Sequence, residues 1–293
     1  MHVFVTGGTG LIGSAVVAEL LGNGHAVLAL ARSDASALAA EAAGAEPLRG
    51  ALGDLDILRA GVARADGVIH LAFANDFTSP EAVAKSIAEE SSALATLGEA
   101  LVGSNRPFVT CSGTPRVPGR PSTEADPTAT SGPLGGRGQA VTAVLSLASR
   151  GVRSTAVRLP RTVHNNGTGG FAGLLTNIAR QTGISGYPGD GEQRWPAVHA
   201  LDAAALFRLA LEQAEAGTSW HAVADEGDKV RDIAAVIGRR LSLPVVPVPT
   251  ETFGPLGPFF ASDQPSSSTH TRRVLGWEPK HPSLLEDLEN IQP

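Results

Sequence analysis

Cysteine, tyrosine and lysine are all scarce in this chain of 293 residues. A lone cysteine, Cys111, excludes an internal disulfide framework and any cysteine-rich zinc site, and it suits a reducing compartment. Tyr187 is the one phenol, and Lys85, Lys229 and Lys280 are the only lysines. Positive charge is also in deficit: 23 Lys and Arg against 29 Asp and Glu give a net charge of −6, which argues against a nucleic-acid backbone as partner. No His-Glu-x-x-His or comparable cluster points to a metal, and no Gly-x-Ser-x-Gly elbow points to a hydrolase. No apolar run approaches the ~20 residues that cross a bilayer. A strand pattern begins at His2, leaving no room for a signal peptide. These absences describe a cytoplasmic protein without membrane or nucleic-acid partners.

What is present is a hydrophobic share of 42% with 18% charged residues, enough to bury a substantial core. Short apolar runs at His2–Thr6, Ala26–Leu30, Glu46–Arg49, Gly67–Leu71, Pro107–Cys111 and Thr155–Leu159 alternate with helical patterns. Those helices fall near Ile12–Leu21, Ala35–Ala43, Leu55–Val62, Pro80–Leu101 and Arg137–Ser149. The strands lack in/out alternation, as expected where helices cover both faces of a parallel sheet. The fold expected is α/β: a doubly wound parallel (Rossmann) sheet with a smaller C-terminal substrate lobe. Residues 1–165 form the dinucleotide-binding domain, with 195–225 returning to it, and 166–194 and 226–293 form the substrate lobe and lid. Six prolines between Leu243 and Ser268, interleaved with Phe253, Phe259 and Phe260, describe either a lid or a loop packing its rings onto the core.

Thr6-Gly7-Gly8-Thr9-Gly10-Leu11-Ile12-Gly13 follows the first strand and opens the first helix. Gly7, Gly10 and Gly13 have the spacing of a phosphate-cradling turn, with the helix N-terminus facing the anion. At the end of the second strand, an acid would hold the ribose 2′-OH of NAD. Here Arg32 and Ser33 occupy that edge, a guanidinium and a hydroxyl suited to the 2′-phosphate of NADPH, with Asp34 close behind.

These motifs resemble the extended or atypical short-chain dehydrogenase/reductases. Asp54-Leu55 is similar to the family's adenine-contacting pair, and Val68-Ile69-His70-Leu71-Ala72 to the strand beside the cofactor. Thr110-Cys111-Ser112-Gly113 resembles the strand end that carries the catalytic hydroxyl, and Arg158-Leu159-Pro160 the turn by the nicotinamide. Trp195 to Asp202 and Trp277-Glu278-Pro279 resemble second-lobe motifs of epimerase-like members. The resemblance implies cofactor contacts from Thr6, the glycine loop with Leu11 and Ile12, Asp54, Leu55, Leu71, Ala72, Leu159 and Pro160. It also implies a homodimer through helices near Pro80–Leu101 and Arg137–Ser149.

One part of the family's machinery is missing. Its Tyr-x-x-x-Lys pair would fall on the helix containing Arg137; with Arg137 in the lysine slot, Pro133 takes the tyrosine slot and offers no titratable group. Ser112 is the first candidate to hydrogen-bond a substrate carbonyl, with Thr114 and His164 behind it. His164 lies just past the sixth strand and could act as an acid or could be bonded within its loop. Cys111, His70, His199 and Asp202 read as packing or structural residues. Three functions follow: NADPH-dependent reduction of a small-molecule ketone, as in the angucyclinone ketoreductases of the simocyclinone type in antibiotic biosynthesis; a nucleotide-sugar epimerase or dehydratase; or a non-catalytic NADP-binding regulator. In the first, the substrate or water supplies the proton.

Overall fold

In the computed structural model, described for residues 1–74, 76 and 78–292, the apolar runs become strands of one parallel sheet. These are β1 (His2–Thr6), β2 (Ala26–Ala31), β3 (Glu46–Arg49), β4 (Gly67–His70), β5 (Pro107–Gly113) and β6 (Arg153–Leu159). The intervening helices are α1 (Leu11–Gly22), α2 (Asp34–Ala42), α3 (Leu55–Ala63), α4 (Pro80–Glu99) and α5 (Gly135–Ser146). The chain continues through β7 (Thr162–His164), α6 (Gly170–Thr182), β8 (Ser185–Pro188), β9 (Arg194–His199), α7 (Ala200–Gln213) and β10 (Thr218–His221). β10 returns to the large sheet, whose order is β10-β6-β5-β4-β1-β2-β3, and every pairing in it is parallel.

Alternation along each strand divides the core in two. Val3, Val5, Ile69 and Val109 join the cluster under α1 and α7, while Phe4, Val68 and Phe108 join the cluster under α3, α4 and α5. From β1 the chain winds to β2 on one side and later to β4 on the other. A crevice therefore opens beyond their carboxyl ends, the usual place for a ligand in such sheets.

A third cluster, around Trp195, Ile233, Phe260 and Leu288, builds the second lobe. Its remaining elements are β11 (Asp225–Lys229), α8 (Val230–Leu241), β12 (Val245–Val248), α9 (Gly257–Phe260) and α11 (Leu284–Leu288), while α10 (Thr269–Leu275) lies against α7 and β10 and puts Leu275 into the cluster under α1 and α7. β7, β9 and β11 form a three-stranded sheet, and β8 pairs with β12. In the three-stranded sheet Thr162–His164 runs parallel to β9, with Val163 opposite Val198. In the proline-rich segment Phe253 and Phe260 are buried and meet edge-to-face at 4.9 Å, so those two rings pack onto the core. Among the described residues no helix is long and apolar enough to cross a membrane.

Candidate active site at the carboxyl edge of the sheet

The glycine loop is held by close approach. Gly7 has φ +75°, and a Cβ there would lie 2.8 Å from the Ala72 nitrogen; a Cβ on Gly13 would lie 1.9 Å from the Gly7 carbonyl oxygen. Only glycine lets α1 start this close to the turn. Gly10 caps α1 with no side-chain hydrogen bond, and no acid occupies the first turn, so the helix presents its N–H groups undiluted. Leu11 is exposed at the entrance and Ile12 packs against the core. At the end of β2, Arg32 is exposed, whereas the Ser33 hydroxyl is engaged as the cap of α2 and Asp34 pairs with Arg49 at 2.9 Å. Asp54 accepts from the Ala51 N–H at 2.7 Å, shaping the turn into α3, and Leu55 packs on the adjoining core.

The strand registers set a polar row beside this loop. Thr6 lies opposite His70, His70 opposite Thr110, Ser112 opposite Arg158 and Arg158 opposite His221. Partners in register share a face, as do residues two apart, so this row lies on the α4/α5 side. Thr6 Oγ1 meets His70 Nδ1 at 2.9 Å and accepts from the Leu71 N–H at 3.3 Å. Burial, reinforced by the nearby Arg137 charge, pushes the His70 ring down to about 3, so it is neutral at physiological pH. His70 Nε2, Thr110 Oγ1 and Ser112 Oγ are buried with no partner among the described residues. The Thr114 N–H donates to the Leu159 carbonyl at 2.9 Å, tying the ends of β5 and β6 together just before the buried Pro160.

Arg137 enters from the first turn of α5. Its Nε and Nη2 each donate to Glu90 on α4 at 2.7 Å, and its guanidinium carbon lies 4.0 Å from the centre of the Phe73 ring. Cys111 packs in the opposite core cluster; burial pushes its thiol up to about 11 against the pull of Arg137, leaving it protonated and inert. Pro133 lies ahead of the helix, and Tyr187 lies in β8 opposite Pro247. No tyrosine is therefore on the helix that carries Arg137.

This arrangement coincides with a family match over residues 3–223 to the NAD dependent epimerase/dehydratase family. The chain belongs to that family. An uncharacterised protein of Schizosaccharomyces pombe is 43% identical over 292 residues, covering 98% of each chain. The fold is similar to that of UDP-glucose 4-epimerase from Thermotoga maritima, with a TM-score of 0.81 at 22% identity, covering 99% of this chain and 97% of that one. A farnesyl-dihydroquinoline-oxide ketoreductase of Stigmatella aurantiaca is 39% identical over 72 residues, 25% of this chain and 22% of its own length.

The residues of this epimerase/dehydratase-family chain fit a nicotinamide dinucleotide: a Cβ would fill the glycine cradle, α1 offers its N–H groups, and orphaned polar atoms line the strand ends beside it. His164 is set elsewhere. It is 1% exposed, its Nδ1 meets Asp287 at 2.9 Å, and its ring stands edge-on to His199 at 5.4 Å. It knits the C-terminal tail to β7, and a substrate would have to displace that packing to reach it. Asp202 is likewise structural, accepting from the Lys280 N–H at 2.9 Å and the His281 N–H at 3.1 Å.

Two residues beyond those foreseen also shape the site. Glu90 is one. The other is Arg161, half-buried beside Phe171 and Trp195, with Nη2 donating to Ser262 Oγ at 2.8 Å. Arg161 fastens the segment after α9 to the end of β6, and burial lowers its ordinary value to about 10.

Proposed function

We propose that the protein is an NADPH-dependent reductase of a ketone on a small molecule of the hydroxyaryl, aromatic-polyketide type, working without a catalytic tyrosine. The observation that carries this reading is a retained dinucleotide cradle beside a segment in which Pro133, just ahead of α5, and Arg137, in its first turn, stand where a phenol and an amine would. The short ketoreductase likeness in Stigmatella aurantiaca supports it. Bound in the cradle, the reduced nicotinamide supplies a hydride. Ser112, buried with an unpartnered hydroxyl, hydrogen-bonds the substrate carbonyl. Arg32 takes the 2′-phosphate, and Arg137 lines the nicotinamide side. His70, neutral, orients through Thr6 rather than donating a proton. The proton comes from a hydroxyl on the substrate next to the carbonyl, or from water, and positioning supplies much of the rate.

NADPH absorbance followed across a panel of hydroxyaryl ketones tests this. Wild type should consume NADPH, and Tyr187→Phe should match it within about twofold; a Tyr187→Phe variant that folds but has lost turnover refutes the tyrosine-free route. The fold likeness along the whole chain supports a second reading, a sugar-nucleotide epimerase or dehydratase. Tightly held NAD that cycles without net consumption would favour it. NADPH binding with no turnover on any carbonyl would favour a regulator.

A further inference from the structure

Glu90 is a carboxylate where the fold has reason to place an apolar side chain. It lies on α4 in the phase of Ala93, Leu94 and Leu97, all buried, and is itself 1% exposed. An acid at such a position is costly unless it is fully matched. Its match is complete: Oε2 and Oε1 take Arg137 Nε and Nη2, each at 2.7 Å. This is the two-point geometry that fixes a guanidinium in its plane and not merely in its position.

The fixed plane has a direction. With Nε and Nη2 held on the α4 side, Nη1 is the amino group that Glu90 leaves unused. The guanidinium lies against the Phe73 ring and near His70 and Cys111, whose protonation both feel its charge. These residues sit at the carboxyl ends of β4 and β5 or just beyond, beside the unpartnered Ser112 hydroxyl. Without Glu90, a long side chain entering from the first turn of α5 could swing toward solvent.

We propose that Glu90 is a positioning residue: by gripping one edge of Arg137 it aims the remaining amino group at the nicotinamide half of the bound cofactor. The inference rests on the reading of the site as a nicotinamide crevice. It also explains why the pair is charged. Glu90 cancels the net charge of Arg137 at a buried place, so the guanidinium acts as a fixed donor that does not titrate near neutrality, and no proton is exchanged with it.

Calorimetry on the full chain with two ligands separates this role from a purely structural one. NADP carries the nicotinamide half; adenosine 2′,5′-bisphosphate has the adenine half and the 2′-phosphate but no nicotinamide. In Glu90→Gln the Kd for NADP should rise at least about tenfold while the Kd for adenosine 2′,5′-bisphosphate changes less than about twofold, and Glu90→Asp should recover part of the loss. Should Glu90→Gln not fold, the uncharged pair Glu90→Gln/Arg137→Gln should show the same selective loss. Equal weakening of both ligands, or no change in either, in a folded variant overturns the positioning role. Wild type that binds neither ligand overturns the reading of the crevice itself, and this would be seen before any variant is measured.

Discussion

His70 is the residue whose charge state most constrains the chemistry, and acid unfolding reads that state directly. Burial holds its ring down at about 3, against roughly 6.5 for an unfolded histidine. Its contribution to stability is therefore complete above about pH 6.5 and is lost as pH falls toward 3, because the unfolded chain takes a proton that the fold refuses. Each pH unit in that window is worth about 1.4 kcal/mol. Between about pH 6.5 and 4.5 His70 alone should remove about 3 kcal/mol of stability. The total slope is not diagnostic: His221 is pushed down to about 4 by burial and acts in the same direction, while Asp228, pushed up to about 6 by burial with Asp225 and Asp232 nearby, acts against it. The difference between wild type and His70→Asn isolates the ring, and asparagine can keep a hydrogen bond to Thr6. Urea unfolding followed by fluorescence of the buried Trp195, Trp220 and Trp277 should show that difference shrinking by about 1.4 kcal/mol per pH unit. A difference that stays constant with pH would mean that His70 ionises as readily in the fold as in the unfolded chain. His70 would then be available as an acid, and the tyrosine-free site would have a side-chain proton donor after all.

Two further substitutions probe the cradle. Arg32→Ala removes an exposed side chain, so NADPH affinity should fall about tenfold at low salt with NADH affinity unchanged, by calorimetry; equal loss for both would sink the 2′-phosphate assignment. Gly13→Ala puts a Cβ 1.9 Å from the Gly7 oxygen and should cost about 3 kcal/mol of stability and abolish dinucleotide binding, whereas Gly22→Ala in the same helix, with nothing within 4 Å, should be neutral or stabilising in a thermal melt.

The cofactor half was legible because its signals are local. Six apolar runs, the glycine spacing and the Pro133/Arg137 substitution all lie within short stretches of chain, and the strands appear within two residues of where the runs put them. The second lobe was less legible. β8 is Ser185-Gly186-Tyr187-Pro188, and β12 carries Pro247, residues that argue against strand but are tolerated at the edges of a two-stranded ribbon. β11 contains four charged residues and an irregular register between Asp225 and Asp228. His164 read as either a crevice acid or a residue bonded within its loop, and its actual partner, Asp287, lies 123 positions away, a separation no pattern bridges. Glu90 was hidden for another reason: beside Glu89 it reads as a solvated helix face. The available signal was its phase, since Ser86, Glu90, Ala93 and Leu97 share the buried stripe of α4.

The distribution of unsatisfied polar atoms argues for where a ligand belongs. Buried polar groups in folded proteins almost always find partners, and each one left alone costs about 1–3 kcal/mol. Among the described residues, His70 Nε2, Thr110 Oγ1, Ser112 Oγ, Arg158 Nε and His221 Nε2 are all orphaned. All five fall on one face at or near the carboxyl ends of four adjacent strands, β4, β5, β6 and β10. Other orphaned atoms, His25 Nδ1, Arg161 Nε, His164 Nε2, Trp195 Nε1, Trp220 Nε1 and Asp228 Oδ2, lie apart from this row. What points to hydrogen bonds completed from outside the chain is the contiguity of these five along adjacent strand ends beside the glycine cradle. The row begins beside the glycine cradle and runs through Arg158 to His221; Arg158 also lines a groove of about 510 Å³ with Glu124, Trp220 and His270. Ser112 stands midway along it. On the proposed reading, the dinucleotide satisfies the β4 end and the substrate the β6 end, which brings a carbonyl to Ser112 without any help from a phenol.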